Sequence, residues 1–319
     1  MSTIKIFRLR KTRNFSQKLE ATFEFIRITA KPLFKSLFFF TSPFVLIGTF
    51  LFSNLFSKVM ALGINAGEGV EPDVNSLMTI GFSVFGFLGL MIFAGTMVIA
   101  VIYANIRLYE QNETVDFTYN DVWEKTKKIY WPIFASTFLY GIIFFVCYMI
   151  IVIPAALLAA VLSFLMVPLI YLVFGFFLVI IFTALPAQIF GGKNIGSAVS
   201  HSFKLLKSNW WATLGLLILL LLIYNVVTIV FSIPFYVGLV VNILGAAEVD
   251  LVEETPIYMA ALNYLFGAIL LVGTFISYSI PIVGMTLQYF NLSEVKEATS
   301  LIQRIDSFGE AEPEEEENY

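Results

Sequence analysis

The sequence predicts an all-α, polytopic integral membrane protein with six transmembrane helices, set out as three parallel units of one surface helix and two spans. Three observations predict this. First, the chain is 59% hydrophobic and only 13% charged, about half the charge of a typical soluble domain. Second, residues 129–192 carry no charged side chain. That run far exceeds the roughly 20 apolar residues one span needs, so it holds two spans and a tight hairpin. Third, a capped, basic, amphipathic segment leading into an apolar stretch occurs three times.

The clearest copy starts at Asn194 and runs through Trp210 and Trp211 to Leu222. An ungapped offset of 180 lays Asn194, Ile195, Val199, Ser202, Phe203 and Lys207 on Asn14, Phe15, Leu19, Thr22, Phe23 and Arg27. An offset of 100 lays Thr114, Val115, Tyr119, Val122, Trp123 and Lys127 on the same first-copy positions. Pro32, Pro132 or the Trp210–Trp211 pair then opens a hydrophobic run.

The N-terminal 36 residues are basic, and from Asn14 the apolar Phe15, Leu19, Phe23 and Ile26 recur at helical spacing. Asn14 followed by Gln17 reads as a capping box. A basic amphipathic helix of this kind lies in a membrane surface. Such helices are expected at 14–31, 114–130 and 194–209. The spans are expected at 37–57, 77–104, 133–156, 161–187, 211–236 and 258–288, with Pro154 turning the third into the fourth. The units are then 14–109, 112–190 and 194–292 of a single membrane domain, 1–309. A further short surface helix is expected from Gln288 to Ile305, and the acidic tail 310–319 is expected to be disordered. Each unit crosses twice, so all three enter in one orientation, about a pseudo-threefold axis along the membrane normal.

Orientation follows from Lys and Arg. With six spans, 18 of the 19 fall on the side of the termini and only Lys58 falls opposite. Both termini are expected in the cytoplasm. The opposite loops carry Glu68, Glu71, Asp73, Glu248, Asp250, Glu253 and Glu254.

Chemistry is sparse. No ionisable group lies in the middle of an expected span, and such groups usually mark proton relays and ion paths. One histidine, His201, excludes an HExxH zinc site and offers no serine triad. The single cysteine, Cys147, excludes an intrachain disulfide. No catalytic residue, metal ligand or cofactor is expected. The residues that stand out are of two kinds. Phe23 with Arg27, Trp123 with Lys127 and Phe203 with Lys207, joined by Trp131, Trp210 and Trp211, suit lipid-surface anchoring: the aromatic in the headgroup region, the cation on anionic lipid. A threefold ring of cations at a vestibule is the other reading of the same pairs. Gln188, Asn225 and Asn263 are the candidate polar contacts inside the membrane, as helix glue or as solute contacts.

The segment SFKLLKSNWWATLGLLILL, followed by the ending QYFNLSEVKEATSLIQRI, resembles poorly characterised bacterial six-helix membrane families of unknown function. One is the membrane domain attached to some glycerophosphoryl diester phosphodiesterases. In those proteins catalysis belongs to a separate soluble barrel, which no stretch of this chain can form. The resemblance implies a membrane module without that enzyme, in a bacterial inner membrane. The expected function is thus a non-enzymatic scaffold, envelope-maintenance or lipid-interacting module. Its partners are membrane lipids of the anionic cytoplasmic leaflet, with a protein partner at the acidic tail and no nucleic acid. The alternative is a facilitator or exporter of an apolar or amphipathic solute along the threefold axis, which requires Gln188, Asn225 and Asn263 to converge.

Overall fold

A computed structural model describes residues 7–67, 69, 71, 73–248 and 257–298; the side chains of 64–66, 151, 153–169, 242–248 and 257–260 fall outside that description. The helices are α1 (Phe15–Gly67), α2 (Val74–Asn112), α3 (Tyr119–Phe190), α4 (Ile195–Leu206), α5 (Trp210–Glu248), α6 (Ile257–Ser277) and α7 (Ser279–Glu297). Among the described residues there is no strand. Six stretches are long and apolar enough to cross a bilayer: Phe15–Gly63, Val74–Asn112, Tyr119–Ile150, Ile170–Phe190, Trp210–Val241 and Ala261–Glu297. The protein is a multi-pass membrane protein. Its flanks suit lipid: Phe82 and Phe85 of α2 are more than three-quarters exposed, and Leu46, Phe145 and Val226 stand out from other helices.

The caps are local and follow the sequence. Gln17 N donates to Asn14 Oδ1 at 2.9 Å and Asn14 N to Gln17 Oε1 at 3.0 Å, the expected reciprocal box. Asn194 Oδ1 accepts from Ser197 N at the start of α4. In the second unit the box forms later, between Thr118 and Asp121, so the helix begins at Tyr119 and not at 114.

Two expected breaks are missing. The first amphipathic segment and its span form one 53-residue helix, with Pro32 and Pro43 inside it. The second likewise runs on through Pro132. A proline removes one N–H from the ladder, and neighbouring helices can hold such a helix together. Only the third unit breaks, at 207–209, where Asn209 N turns back to Leu206 O and Asn209 O then accepts from Thr213 N.

α3 is helical along its length but folds on itself. Phe144 lies against Phe174 and Phe177, with ring centroids 5.1 Å apart in each case. In a straight helix 144 and 174 would be about 45 Å apart. Tyr119–Ile150 and Ile170–Phe190 therefore run side by side, and the chain reverses between 151 and 169. The side chain of Pro154, the expected turn, lies outside the described set.

The sixth span also departs from expectation. Pro281 has no N–H for the Ser277 carbonyl, and the helix is interrupted at Tyr278. The Ser277 and Ser279 hydroxyls donate to the carbonyls of Gly273 and Ile276, each at 2.7 Å. Beyond the break, α7 is buried from Ser279 to Ser293 on all its faces and touches each of the other six helices. Gln288–Glu297, expected as the start of a surface helix, is instead the lower part of this central helix; residues 299–305 and the tail 310–319 lie outside the described residues.

One pattern recurs. Leu33, Ile133 and Thr213 are buried, as are Ser36, Ser136 and Leu216, and Phe40, Tyr140 and Leu220. Lys31, Trp131 and Trp211 are exposed, as are Lys35, Ala135 and Gly215. These are the positions related by offsets of 100 and 180.

Candidate functional site

Both ends of the described chain meet at one end of the bundle, where most of the polar contacts between helices gather. Residues 7–13 form a strap. Phe7 N donates to the Tyr109 hydroxyl at 3.0 Å, and the Phe25 ring packs against both Phe7 and Tyr109. Arg10 pairs with Glu110 at 2.9 Å and lies 4.8 Å over the Phe290 ring. Arg13 N donates to Asn291 Oδ1 at 2.6 Å. The strap thus ties the start of α1 to the ends of α2 and α7. A second clasp joins α4 to α7: His201 Nδ1 is 3.5 Å from Glu297 Oε1, and Lys296 Nζ donates to the Lys204 carbonyl at 2.9 Å. Burial pushes the His201 imidazole below its ordinary pKa, against the upward pull of Glu297; Lys193 and Lys204 push it down further. Arg107 Nη1 donates to the Ile189 carbonyl, closing the circle between α2 and α3.

Just inside this end lies a layer of neutral polar groups. The closing turns of α2, α3 and α7 pack on one another: the Phe190 ring lies against both Tyr103 and Phe290. The same turns carry three amides, Asn105, Gln188 and Gln288. Ser136 Oγ is 2.6 Å from Gln188 Oε1 and 2.7 Å from the Pro132 carbonyl, and shares its single hydrogen between them. Gln288 Nε2 donates to Thr213 Oγ1 at 2.7 Å. Asn105 Nδ2 donates only to Val101 O of its own helix. Asn105 and Gln288 are each 1% exposed. These groups can bind helices, water or a neutral polar group. Among the described residues no cluster of three or more His, Cys, Asp or Glu is placed to hold a metal ion.

The sequence-selected residues divide. Phe23, Arg27, Phe203 and Lys207 are exposed, and Trp131 and Trp211 are exposed by 63% and 68%. Trp210 is half-buried against Phe176 and Phe203. Trp123 is different: it stacks on Phe40 of α1 at 4.9 Å, and Lys127 lies over its ring while bonded to Glu124 at 2.6 Å. Gln188, Asn225 and Asn263 do not come together. Asn225 faces outward and donates to the Leu221 carbonyl of its own helix. Asn263 lies beside Gly238 of α5, 13 residues and about 20 Å along the helix from Asn225. Gln188 is spent on Ser136. An apolar groove between the halves of α3, lined by Phe144, Tyr148, Ile170, Tyr171 and Phe174, holds none of them.

The strap was not singled out in the sequence, and of the amide layer Gln188 was but Gln288 was not. One signal was present: an amide stands near the end of every second span, at Asn105, Gln188 and Gln288, two residues before Arg107, Phe190 and Phe290. No family model, curated protein or solved structure matches the chain.

Proposed function

We propose that this protein is a non-enzymatic, lipid-interacting scaffold of a bacterial inner membrane, with both termini in the cytoplasm and three parallel repeats of surface segment plus two spans. The observation that carries it is the outward placing of the aromatic–cation pairs Phe23–Arg27 and Phe203–Lys207, at the end where the termini meet. A cation there gains attraction to anionic headgroups while its aromatic neighbour seats among them. The repeated burial pattern at 31–40, 131–140 and 211–220 supports the repeats. The lopsided distribution of Lys and Arg supports the orientation.

The three pairs are unequal in this reading. In the second, Trp123 is turned inward onto Phe40 and the exposed Lys127 is bonded to Glu124 of its own helix, so the leaflet is held mainly by the first and third.

The test is native mass spectrometry of the protein from nanodiscs of mixed zwitterionic and anionic phospholipid. Each neutralised cation is worth about 1 kcal/mol at a membrane surface, or roughly fivefold in retained anionic lipid. Arg27→Gln and Lys207→Gln each lower retention by that factor, and Lys127→Gln lowers it less. Equal retention by all three variants and the parent overturns the reading.

A further inference from the structure

Ser36 of α1 and Asn105 of α2 are each 1% exposed, and Ser36 Oγ and Asn105 Oδ1 have no hydrogen-bond partner among the described residues. Buried polar atoms are nearly always paired, so two unpaired ones on adjoining helices call for a cause. The counterpart pair in the second repeat supplies it. Ser36 corresponds to Ser136, and Asn105 stands where Gln188 stands, so the inference rests on the repeats proposed above. In α3 the Ser136–Gln188 pair closes at 2.6 Å.

The register is the same in both. Phe25 against Tyr109 and Phe52 against Phe87 set α1 antiparallel to α2. They place Asn105 rather more than one helical turn past the level of Ser36. Phe144 against Phe174 and Phe177 gives Gln188 the same offset from Ser136. A glutamine spans that offset. Asparagine is one methylene shorter, by about 1.5 Å, and its carbonyl stops short of a direct bond.

The third partner is a carbonyl. Ser136 leans on its own Pro132 carbonyl at 2.7 Å, whereas Ser36 makes no such bond to Pro32. The Pro32 carbonyl therefore keeps a lone pair that its counterpart has given up. One hydroxyl and two carbonyl acceptors match a water molecule, which accepts from Ser36 Oγ–H and donates to Asn105 Oδ1 and Pro32 O. A buried water needs two to four such partners.

We propose that Ser36, Asn105 and the Pro32 carbonyl form a buried site for one water molecule between α1 and α2, taking the place of the direct Ser136–Gln188 bond. The third repeat solves the same problem differently: position 216 is leucine, and Gln288 bonds Thr213 instead.

The experiment is a high-resolution structure of the full chain in nanodiscs, for the parent and Asn105→Gln, with thermal unfolding of both. The parent shows one ordered water within hydrogen-bond distance of Ser36 and Asn105. The longer side chain of the variant displaces it, bonds Ser36 directly and raises Tm by a few degrees. Adding Ser36→Ala removes that gain. The idea is overturned if the parent holds no water there, or if Ser36 and Asn105 face different helix contacts. A parallel Ser136→Ala and Gln188→Leu cycle separates the causes. Coupling at 136–188 with none at 36–105 means the repeats do not correspond at this layer. The lipid-retention test stands or falls apart from either result.

Discussion

Single residues decide how closely these helices approach. Gly273 is the sharpest case: a Cβ there would overlap the Phe231 ring of α5. Gly273→Ala forces that ring or the helix aside, and overpacking of this kind costs about 1–3 kcal/mol. The expected result is a lower Tm in detergent, while Gly86→Ala, where a Cβ meets nothing within 4 Å, leaves Tm in place. His201 is the second residue-scale prediction. Its folded pKa is lowered, so the folded protein favours the neutral ring. Stability is full above the unfolded value of about 6.5 and is lost as pH falls through it toward the folded pKa. The groups that face it are Glu297, Lys193, Lys204 and the Tyr289 ring. Tm measured from pH 8 to pH 5 falls in the parent and is flatter in His201→Gln; an equal slope in both refutes the assignment. Gly273 was legible as a small residue one turn from Ser277. The burial of His201 was not, because it depends on α7 continuing beneath α4.

At the scale of elements, helix starts were more legible than helix ends or breaks. Asn14–Gln17 forms its box because capping joins atoms three residues apart. The fused α1, the continuation of α3 through Pro132 and the extension of α7 to Glu297 were not legible, since each is settled by what the helix packs against, whereas the reversal within 129–192 was legible from the length of its uncharged run. The N-terminal strap belongs to the same class. Its sequence reads only as basic, yet Phe7 and Leu9 are buried and Arg10 reaches Glu110 and Phe290. Removing residues 1–13 uncovers Phe25, Tyr109 and Phe290. The expected outcome is a Tm several degrees lower and faster proteolysis at this end; an unchanged Tm shows that the strap carries no stability.

At the scale of the whole molecule, the six-span plan makes a strict topological prediction. In a Cys147→Ser background, a cysteine at Glu71→Cys reacts with a membrane-impermeant maleimide on intact cells. One at Lys204→Cys reacts only after lysis. Labelling of both from the same side breaks the plan. The contact between Arg13 and Asn291 already places the two ends of the described chain on one side, as an even number of crossings requires. The closed packing of Tyr103, Phe190 and Phe290 fills the place where three closing helices meet. Together with the separation of Gln188, Asn225 and Asn263, it leaves the solute-path reading without the convergence it requires.

Composition and periodicity by themselves determined that the chain is helical, that it crosses a membrane six times, and where two of its helices are capped. Those properties follow from the solvent and from atoms a few residues apart, so a linear string contains them. Which helix lies at the centre, which of three similar aromatic–cation pairs remains outward, and which amides find partners were decided only by tertiary structure. Each depends on distances between residues about 50 to 280 positions apart, as in Ser136–Gln188 and Arg13–Asn291. One methylene more or less at such a contact changes whether it closes.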